Sequence, residues 1–424
     1  MAFQENSSQK GIVGWIDNRL PVVEATRKHM TQYYAPKNFN FLYVFGVLSM
    51  VVLVNQLITG IWLVMHYVPD ATLSETGMPI AFASVETAIM RDVDWMWLIR
   101  YMHEVGASMF FVVVYIHMFR GLMYGSYRKP RELVWIFGML IYLLLMAEAF
   151  IGYVLPYGQM SFWGAQVIIS LFGAIPYVGD TLLEFIRGDF VISAATVSRF
   201  FALHVIALPL VLVFLVIGHI LALHHVGSNN PDGIEIKDHL DEEGKPLDGI
   251  PFHPYYSVHD TFAVGIFMII FALIVFYAPE MGGYFLEKPN FEPANPLATP
   301  SHIAPVWYFT PFYSVLRAIP SWFGTQIWGV IGMGGAIAVL FLLPWLDRSP
   351  VKSIRYKGPL TKILLTLFVI CFIVLGYLGV VEATAGRTLV ARLCTVYYFA
   401  FFLLMPIWSK LDKTKPVPTR VTMK

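Results

Sequence analysis

Four histidines occupy positions where ionisable side chains are uncommon. His103 and His117 lie fourteen residues apart in the apolar stretch WLIRYMHEVGASMFFVVVYIHMFRG, and His204 and His219 lie fifteen apart in RFFALHVIALPLVLVFLVIGHILALHH. Ionisable residues in such stretches are rare and generally functional, and neutral imidazole is a common metal ligand. At about 1.5 Å per residue, each interval covers about 21–23 Å of helix. Two such helices side by side would place two His–His pairs at two depths, the geometry of two stacked hemes with two histidines each. A single buried histidine could simply bond a backbone carbonyl, but four in matched pairs are poorly explained that way.

Glycines repeat the interval. Gly46 and Gly60 are fourteen apart, as are Gly138 and Gly152. A flat macrocycle between helices needs positions without a Cβ in the way, so four helices around two macrocycles are predicted. Small-residue helix packing is the plainer explanation for glycine, although it does not explain the interval shared with histidine. Arg100 and Arg120 each lie three residues from a histidine of the second helix. Either could pair with a heme propionate, or else extend to the membrane interface. Both cysteines, Cys371 and Cys394, lie in apolar segments, and no CxxCH occurs for covalent heme attachment.

These residues need membrane-spanning helices to position them. Of 424 residues, 57% are hydrophobic and 13% charged, against about 25% charged in a soluble chain. An integral membrane protein is expected, and the net charge of +1 argues against nucleic acid as a partner. Apolar stretches of spanning length fall at roughly 41–65, 98–122, 133–155, 200–222, 260–278, 325–346, 363–381 and 391–409. The predicted fold is therefore all-α, with eight transmembrane helices, the first four forming a bundle around two stacked b-type hemes. No cleavable signal opens the chain, and residues 10–35 read as an interfacial amphipathic helix. Three parts are expected: an interfacial segment at 1–40, a heme-binding bundle at 41–225 and a C-terminal part at 226–424.

Lys and Arg in the short loops set the orientation. Arg27, Lys28, Lys37, Arg128, Lys129, Arg131, Arg348, Lys352, Arg355, Lys357 and the tail Lys410, Lys413 and Lys415 fall on one side. Both termini are predicted to be cytoplasmic. The loop at 227–257 is an exception, with seven acids against two lysines. Residues 156–198 and 279–320, on the far side, are too long and aromatic for plain connectors, and short surface helices are expected there.

The chain resembles the cytochrome b family, the heme-bearing core of the cytochrome bc complex (ubiquinol–cytochrome c reductase). The resemblance covers nearly the whole chain and rests on RYMHEVGASMFF, GYVLPYGQMSFWGA, RFFALH, HHVGSNNP, FHPYYSVHD and HIAPVWYF…LRAIP. It implies that His103 and His204 ligate a low-potential heme b near the outer face, and that His117 and His219 ligate a high-potential heme b near the inner face. It further implies quinol oxidation at an outer site and quinone reduction at an inner one. One electron crosses the membrane between them, in a Q cycle that contributes to the proton motive force. The implied partners are a Rieske iron–sulfur protein, a cytochrome c-type subunit and a second copy of the complex, in lipid. A bacterial inner membrane is the expected location.

On the same resemblance, Glu148, Phe150, Tyr153, Gly164, Pro305, Val306, Trp307, Tyr308 and Tyr313 are expected at the outer quinol site. Gly152 would also border it. His224, Ser228, Asn229 and Asp260 are expected at the inner quinone site, with His225 and His259 nearby. Two departures stand out. Many members of the family have fourteen residues between the fourth-helix histidines. One extra residue turns an ideal helix by about 100°, so a π-bulge or kink beside Pro209 is predicted to absorb it. The family's usual PEWY motif reads PVWY here, at 305–308. Val306 cannot accept a proton, so Glu148, a carboxylate inside the third helix, is expected to take over that role, the alternative being a structural hydrogen bond inside the bundle. Two other classes remain open. A dehydrogenase's diheme anchor would lack the PVWY and SNNP segments, and a secondary transporter would not need matched His and Gly intervals.

Overall fold

The computed structural model describes residues 11–423; the first ten residues of the expected 1–40 segment lie outside them. Six apolar helices have membrane-spanning length. We label α1 Phe45–Val64, α2 Met96–Tyr124, α3 Glu132–Val154, α4 Ala194–Val226, α5 Ser257–Tyr277, α6 Ile327–Phe341, α7 Pro359–Val380 and α8 Ala385–Leu403. Among the described residues, the chain is an all-α membrane protein except for one short two-stranded antiparallel sheet, which pairs Tyr34–Pro36 with Gly249–Pro251. The six long helices are α1–α5 and α7. Helix α8 continues into Met405–Leu411 across a bend of 68°, and only together do the two make an apolar stretch fit to span a membrane.

The remaining expected span, 325–346, is shorter than predicted. Helix α6 has 15 residues, and after it Leu343–Leu346 forms a separate turn. Pro344 offers no N–H to continue the helix. Small residues let α6 approach the helix Thr310–Ala318 closely, since a Cβ on Gly329 would stand 2.8 Å from the carbonyl oxygen of Leu316. The N-terminal stretch also differs from the single amphipathic helix predicted. It forms three short pieces, Ile12–Asp17, Val22–Thr26 and Arg27–Thr31, interrupted before Pro21.

Helices α1 and α2 pack along each other, and so do α3 and α4. Contacts between the two pairs are sparse, and a cavity opens between them at one end. The largest core joins both halves of the chain. Val105 and Phe111 of α2 and Tyr142 of α3 cluster with Tyr308, Phe312 and Phe402.

The π turn is present. Residues Leu203–Ala207 widen α4 immediately before Pro209, and the Leu208 N–H bonds the Leu203 carbonyl, five residues back. Without this turn, His219 would be rotated by about 100° relative to its counterpart in α2.

Both long loops contain short helices, but the one in the second loop is not at the surface as expected: it is packed against α6, α7 and α8 with most of its side chains buried. Gln159–Ser170 and Gly179–Arg187 lie in the first, and Thr310–Ala318 lies in the second. At the opposite end, the acidic loop and the basic segments interlock. Arg131 makes a two-pronged contact with Glu235, each nitrogen at 2.7 Å, and donates to the Gly227 carbonyl. Asp232, 1% exposed, accepts from Asn38, Arg355, Tyr356 and Thr422. Asp248, 0% exposed, pairs with Lys37 and Arg420. Three of the loop's seven acids, Asp232, Glu235 and Asp248, are thus counter-charges for basic residues of that face.

Candidate functional site

Antiparallel packing within each helix pair sets every predicted glycine against one predicted histidine. A Cβ on Gly46 would lie 3.4 Å from His117, and one on Gly60 would lie 3.4 Å from His103. On the other pair, Gly138 faces His219 at 3.4 Å, whereas a Cβ on Gly152 would come within 2.4 Å of His204. The shared interval therefore has a direct cause: each glycine leaves room for an imidazole.

The rings face each other across the gap. His103 and His204 have centroids 6.2 Å apart at 84°, and His117 and His219 have centroids 6.4 Å apart at 62°. A metal bonded to one nitrogen of each ring at about 2 Å, with about 1.1 Å from nitrogen to centroid, requires a separation of about 6.2 Å. Among the described residues, no group of three or more His, Cys, Asp or Glu converges on a metal position. Two donors facing each other suit a metal whose other ligands come from a macrocycle. The residues therefore fit a bis-histidine heme at each level.

Neighbouring groups orient the rings. Thr59 Oγ donates to the Asn55 carbonyl at 2.6 Å, so it is free to accept from His103 Nδ1–H at 2.9 Å. That fixes the tautomer and leaves Nε2 for a metal. His204 Nδ1 faces the Glu148 carbonyl oxygen at 3.1 Å and its carboxylate at 2.9 Å. Arg120 stacks over Tyr43 with its carbon 4.8 Å from the ring centroid, and it donates to Ser126. Its Nε is buried without a partner among the described residues. An anionic propionate would satisfy that donor. Arg100 lines the cavity beside His103.

The cavity between the helix pairs is bordered by Glu148, Tyr153, Val306 and Tyr308, which brings together four of the residues expected at the outer site. Gly164 stands behind Tyr153, and a Cβ there would be 3.8 Å from the ring. Trp307 donates to Ser108 at 3.3 Å, stacks on Phe285 and leaves the lining to its neighbours. Three further expected residues, besides Gly164 and Trp307, are not in the lining. Phe150 packs on Phe200, Pro305 only leads into Val306, and Tyr313 lies under Arg317. Glu148 differs from expectation in another way, because one carboxylate oxygen is committed to His204 rather than open to a quinol.

At the other end, His224 stacks on Tyr33 with centroids 4.5 Å apart, and its Nδ1 lies 3.2 Å from that of His29. Ser228 joins the same group through the Tyr33 hydroxyl at 3.2 Å. Asn229 does not. It is 2% exposed and donates to the Tyr124 carbonyl and to Ser126, beside Arg120. Asp260 lies in the first turn of α5, close to Tyr256 and His259.

Several residues went unnoticed in the sequence. His29 and Tyr33 lie 195 residues from their partners, and nothing local marks them. Glu104 could have been noticed as a carboxylate next to His103; it lines the cavity with both oxygens buried and unpartnered among the described residues. Glu287 accepts from the Tyr153 hydroxyl, but it sits in a polar loop that gave no signal.

Comparison with known proteins agrees with this geometry. Residues 30–227 match the family described as cytochrome b/b6/petB, and residues 293–399 match cytochrome b(C-terminal)/b6/petD. A cytochrome b of Allochromatium vinosum is 60% identical over 97% of this chain and 98% of its own length. One of Rickettsia prowazekii is 48% identical over the same shares of the two chains. A solved structure titled "Hyperthermophilic respiratory Complex III" superposes with a TM-score of 0.85 at 38% identity, covering 94% of this chain and 98% of its own. With two opposed histidine pairs, their facing glycines and matches along almost its full length, this chain belongs to the cytochrome b family of heme-bearing membrane oxidoreductase subunits.

Proposed function

We propose that this chain is the diheme core of a quinol–cytochrome c oxidoreductase. His103 and His204 would hold the low-potential heme b, and His117 and His219 the high-potential one. Bound there, the hemes supply one-electron transfer without an open coordination position. The carrying observation is the pair of ring separations, 6.2 and 6.4 Å, at two levels of one helix bundle.

The remaining work falls to the chain. Glycines leave space for the rings, and Thr59 and Glu148 hold the two Nδ1 protons of the outer pair. Glu148 is proposed as a positioning residue for His204, in place of the proton acceptor expected from sequence. Tyr153, Val306 and Tyr308 form an apolar wall for a quinol ring in the outer cavity. His224, with Tyr33 and Ser228, offers exchangeable hydrogens to a quinone at the inner end. Asp260 is proposed as a further proton carrier there, and Arg120 as the partner of a propionate, with Asn229 bracing Ser126 beside it. Oxidation at one end and reduction at the other would move charge across the membrane, worth about 2.3 kcal/mol per elementary charge per 100 mV.

We propose a bacterial inner membrane, both termini on the cytoplasmic side, and eight crossings, counting α6 and the bent α8. The clustering of Lys37, Arg131, Arg355 and Arg420 at one end supports that orientation. The proposed partners are a Rieske iron–sulfur protein and a cytochrome c-type subunit, in a dimer, as suits a neighbour titled respiratory Complex III. A redox-titrated optical spectrum of the purified complex tests the reading. Two b-type components are expected, one lost in His204→Leu and the other in His219→Leu. A chain without b-type absorption would overturn it.

A further inference from the structure

Val306 is 4% exposed and lines the outer cavity with a side chain that cannot bind a proton. Quinol oxidation releases protons, so another group must receive them. Three carboxylates stand near. Glu148 is tied to His204 Nδ1. Glu104 lines the cavity too, but both its oxygens are buried and without a partner among the described residues. An acceptor that must discharge at every turnover needs one face on the cavity and one on solvent.

Glu287 meets that requirement through Tyr153: it does not line the cavity itself, but it bonds a residue that does and keeps partial exposure of its own. It follows Phe285 and Leu286, which line the cavity, and precedes the exposed Lys288. It is itself half-buried and accepts a hydrogen bond from Tyr153, whose ring borders the cavity. The segment is firmly attached. Asn290 Oδ1 accepts from the Ser161 N–H at 2.9 Å, the Gln159 N–H bonds the Glu292 carbonyl at 2.9 Å, and the Ala294 N–H bonds the Tyr157 carbonyl at 3.1 Å. Burial pushes the Glu287 carboxyl up to about 7, despite the bond from Tyr153. The other ionisable groups around it are Glu104 of α2 and Tyr308 beside Val306.

Resting on the quinol-oxidation reading above, we propose that Glu287 is the proton acceptor of the outer site, reached through Tyr153. The quinol O–H breaks as its proton passes to Tyr153 Oη, while the tyrosine's own proton passes to Glu287. Tyr153 ends as it began, and Glu287 becomes a carboxylic acid. The electron leaves the quinol for a one-electron acceptor of the reaction, a ferric heme or an iron–sulfur cluster. Glu287 then loses its proton to water on the outer face. The step accounts for one of the two quinol protons.

The test compares quinol-dependent cytochrome c reduction by the whole complex in wild type, Glu287→Gln, Tyr153→Phe and the double variant, across the pH range around 7. A base works only when ionised, so wild-type turnover should fall as pH drops through about 7. Glu287→Gln should be about 10²-fold slower and lose that inflection. Tyr153→Phe should lose as much, and the double variant no more than either. Val306→Glu added to Glu287→Gln should restore turnover by returning a carboxylate to the same wall. Glu287→Gln with unchanged rate and pH profile, and an intact b-type spectrum, would overturn the proposal, as would multiplicative losses in the double variant. If Glu287→Gln does not assemble, an unchanged pH profile in Tyr153→Phe overturns it instead. Wild type lacking quinol oxidation would sink the underlying reading, a distinguishable outcome.

Discussion

At the scale of single residues, the four glycines are alike in sequence but not in clearance. At Gly46, Gly60 and Gly138 an added Cβ would meet its histidine at 3.4 Å, whereas at Gly152 it would come within 2.4 Å of His204. Gly152→Ala should therefore displace one axial ring and remove the heme between His103 and His204, leaving the other in place. Optical spectra resolved by potential would show one b-type component instead of two, and Gly46→Ala should keep both. Gly164 presents the opposite case. Its Cβ would make an ordinary contact with Tyr153, so Gly164→Ala should assemble and turn over. Because that contact restrains the ring bordering the outer cavity, inhibitors of the proposed quinol site should bind more weakly, and equal inhibition curves would contradict this placement.

At the scale of elements, the wide turn in α4 reconciles fifteen residues with a fourteen-residue geometry. Deleting Ile206 from Leu203–Ala207 should close the π turn into an ordinary α turn. His204 and His219 would keep their common face, and both hemes should be retained. Deleting Val112 from α2, which has no wide turn between His103 and His117, should swing one histidine away by about 100° and lose a heme. Counting heme per purified complex in the two deletions tests the pair. Pro209 explains why the turn sits there: it has no N–H to hold a regular α turn. Glycine also ends α2, where Gly125 adopts φ +66 and lies so close to the Lys352 carbonyl that a Cβ would stand 2.6 Å from it.

At the scale of the whole molecule, the polar end is held by buried charge pairs between segments distant in sequence. Asp347 and Lys357 are each 4% exposed and meet at 2.7 Å, with Tyr127 donating to the same carboxylate. Removing one partner of a buried pair costs about 3–5 kcal/mol. Lys357→Met should lower the temperature at which the purified complex releases heme, and Asp347→Leu combined with it should recover part of the loss. The pH dependence has a definite sign. Burial alone would raise the carboxyls of Asp232 and Asp248, but hydrogen bonds outweigh it and hold both below the usual range, from Thr422, Tyr356 and Arg355 to the first and from Arg420 and Lys37 to the second. Groups depressed on folding contribute stability above the ordinary carboxylate range, and this is lost as pH falls through it. Thermal stability should therefore drop in acid, less steeply in Asp232→Asn and Asp248→Asn, whose stability at neutral pH is already lower.

The sequence by itself determined the membrane class, the helical architecture and the two histidine pairs, because each depends on composition or on a period along one helix. It also located the distortion at Pro209, since turn per residue is a property of the backbone alone. Pairings between helices were decided only by the tertiary structure. The antiparallel packing of α1 on α2 and α3 on α4 chose which glycine faces which histidine. Folding brought His29 and Tyr33 to His224, and Glu287 to Tyr153, across separations that leave no periodic trace. It also turned Glu148 toward His204, and the acidic loop toward its basic partners. A carboxylate's chemistry depends on what stands within about 3 Å of it, and that distance is set by the packing of distant segments.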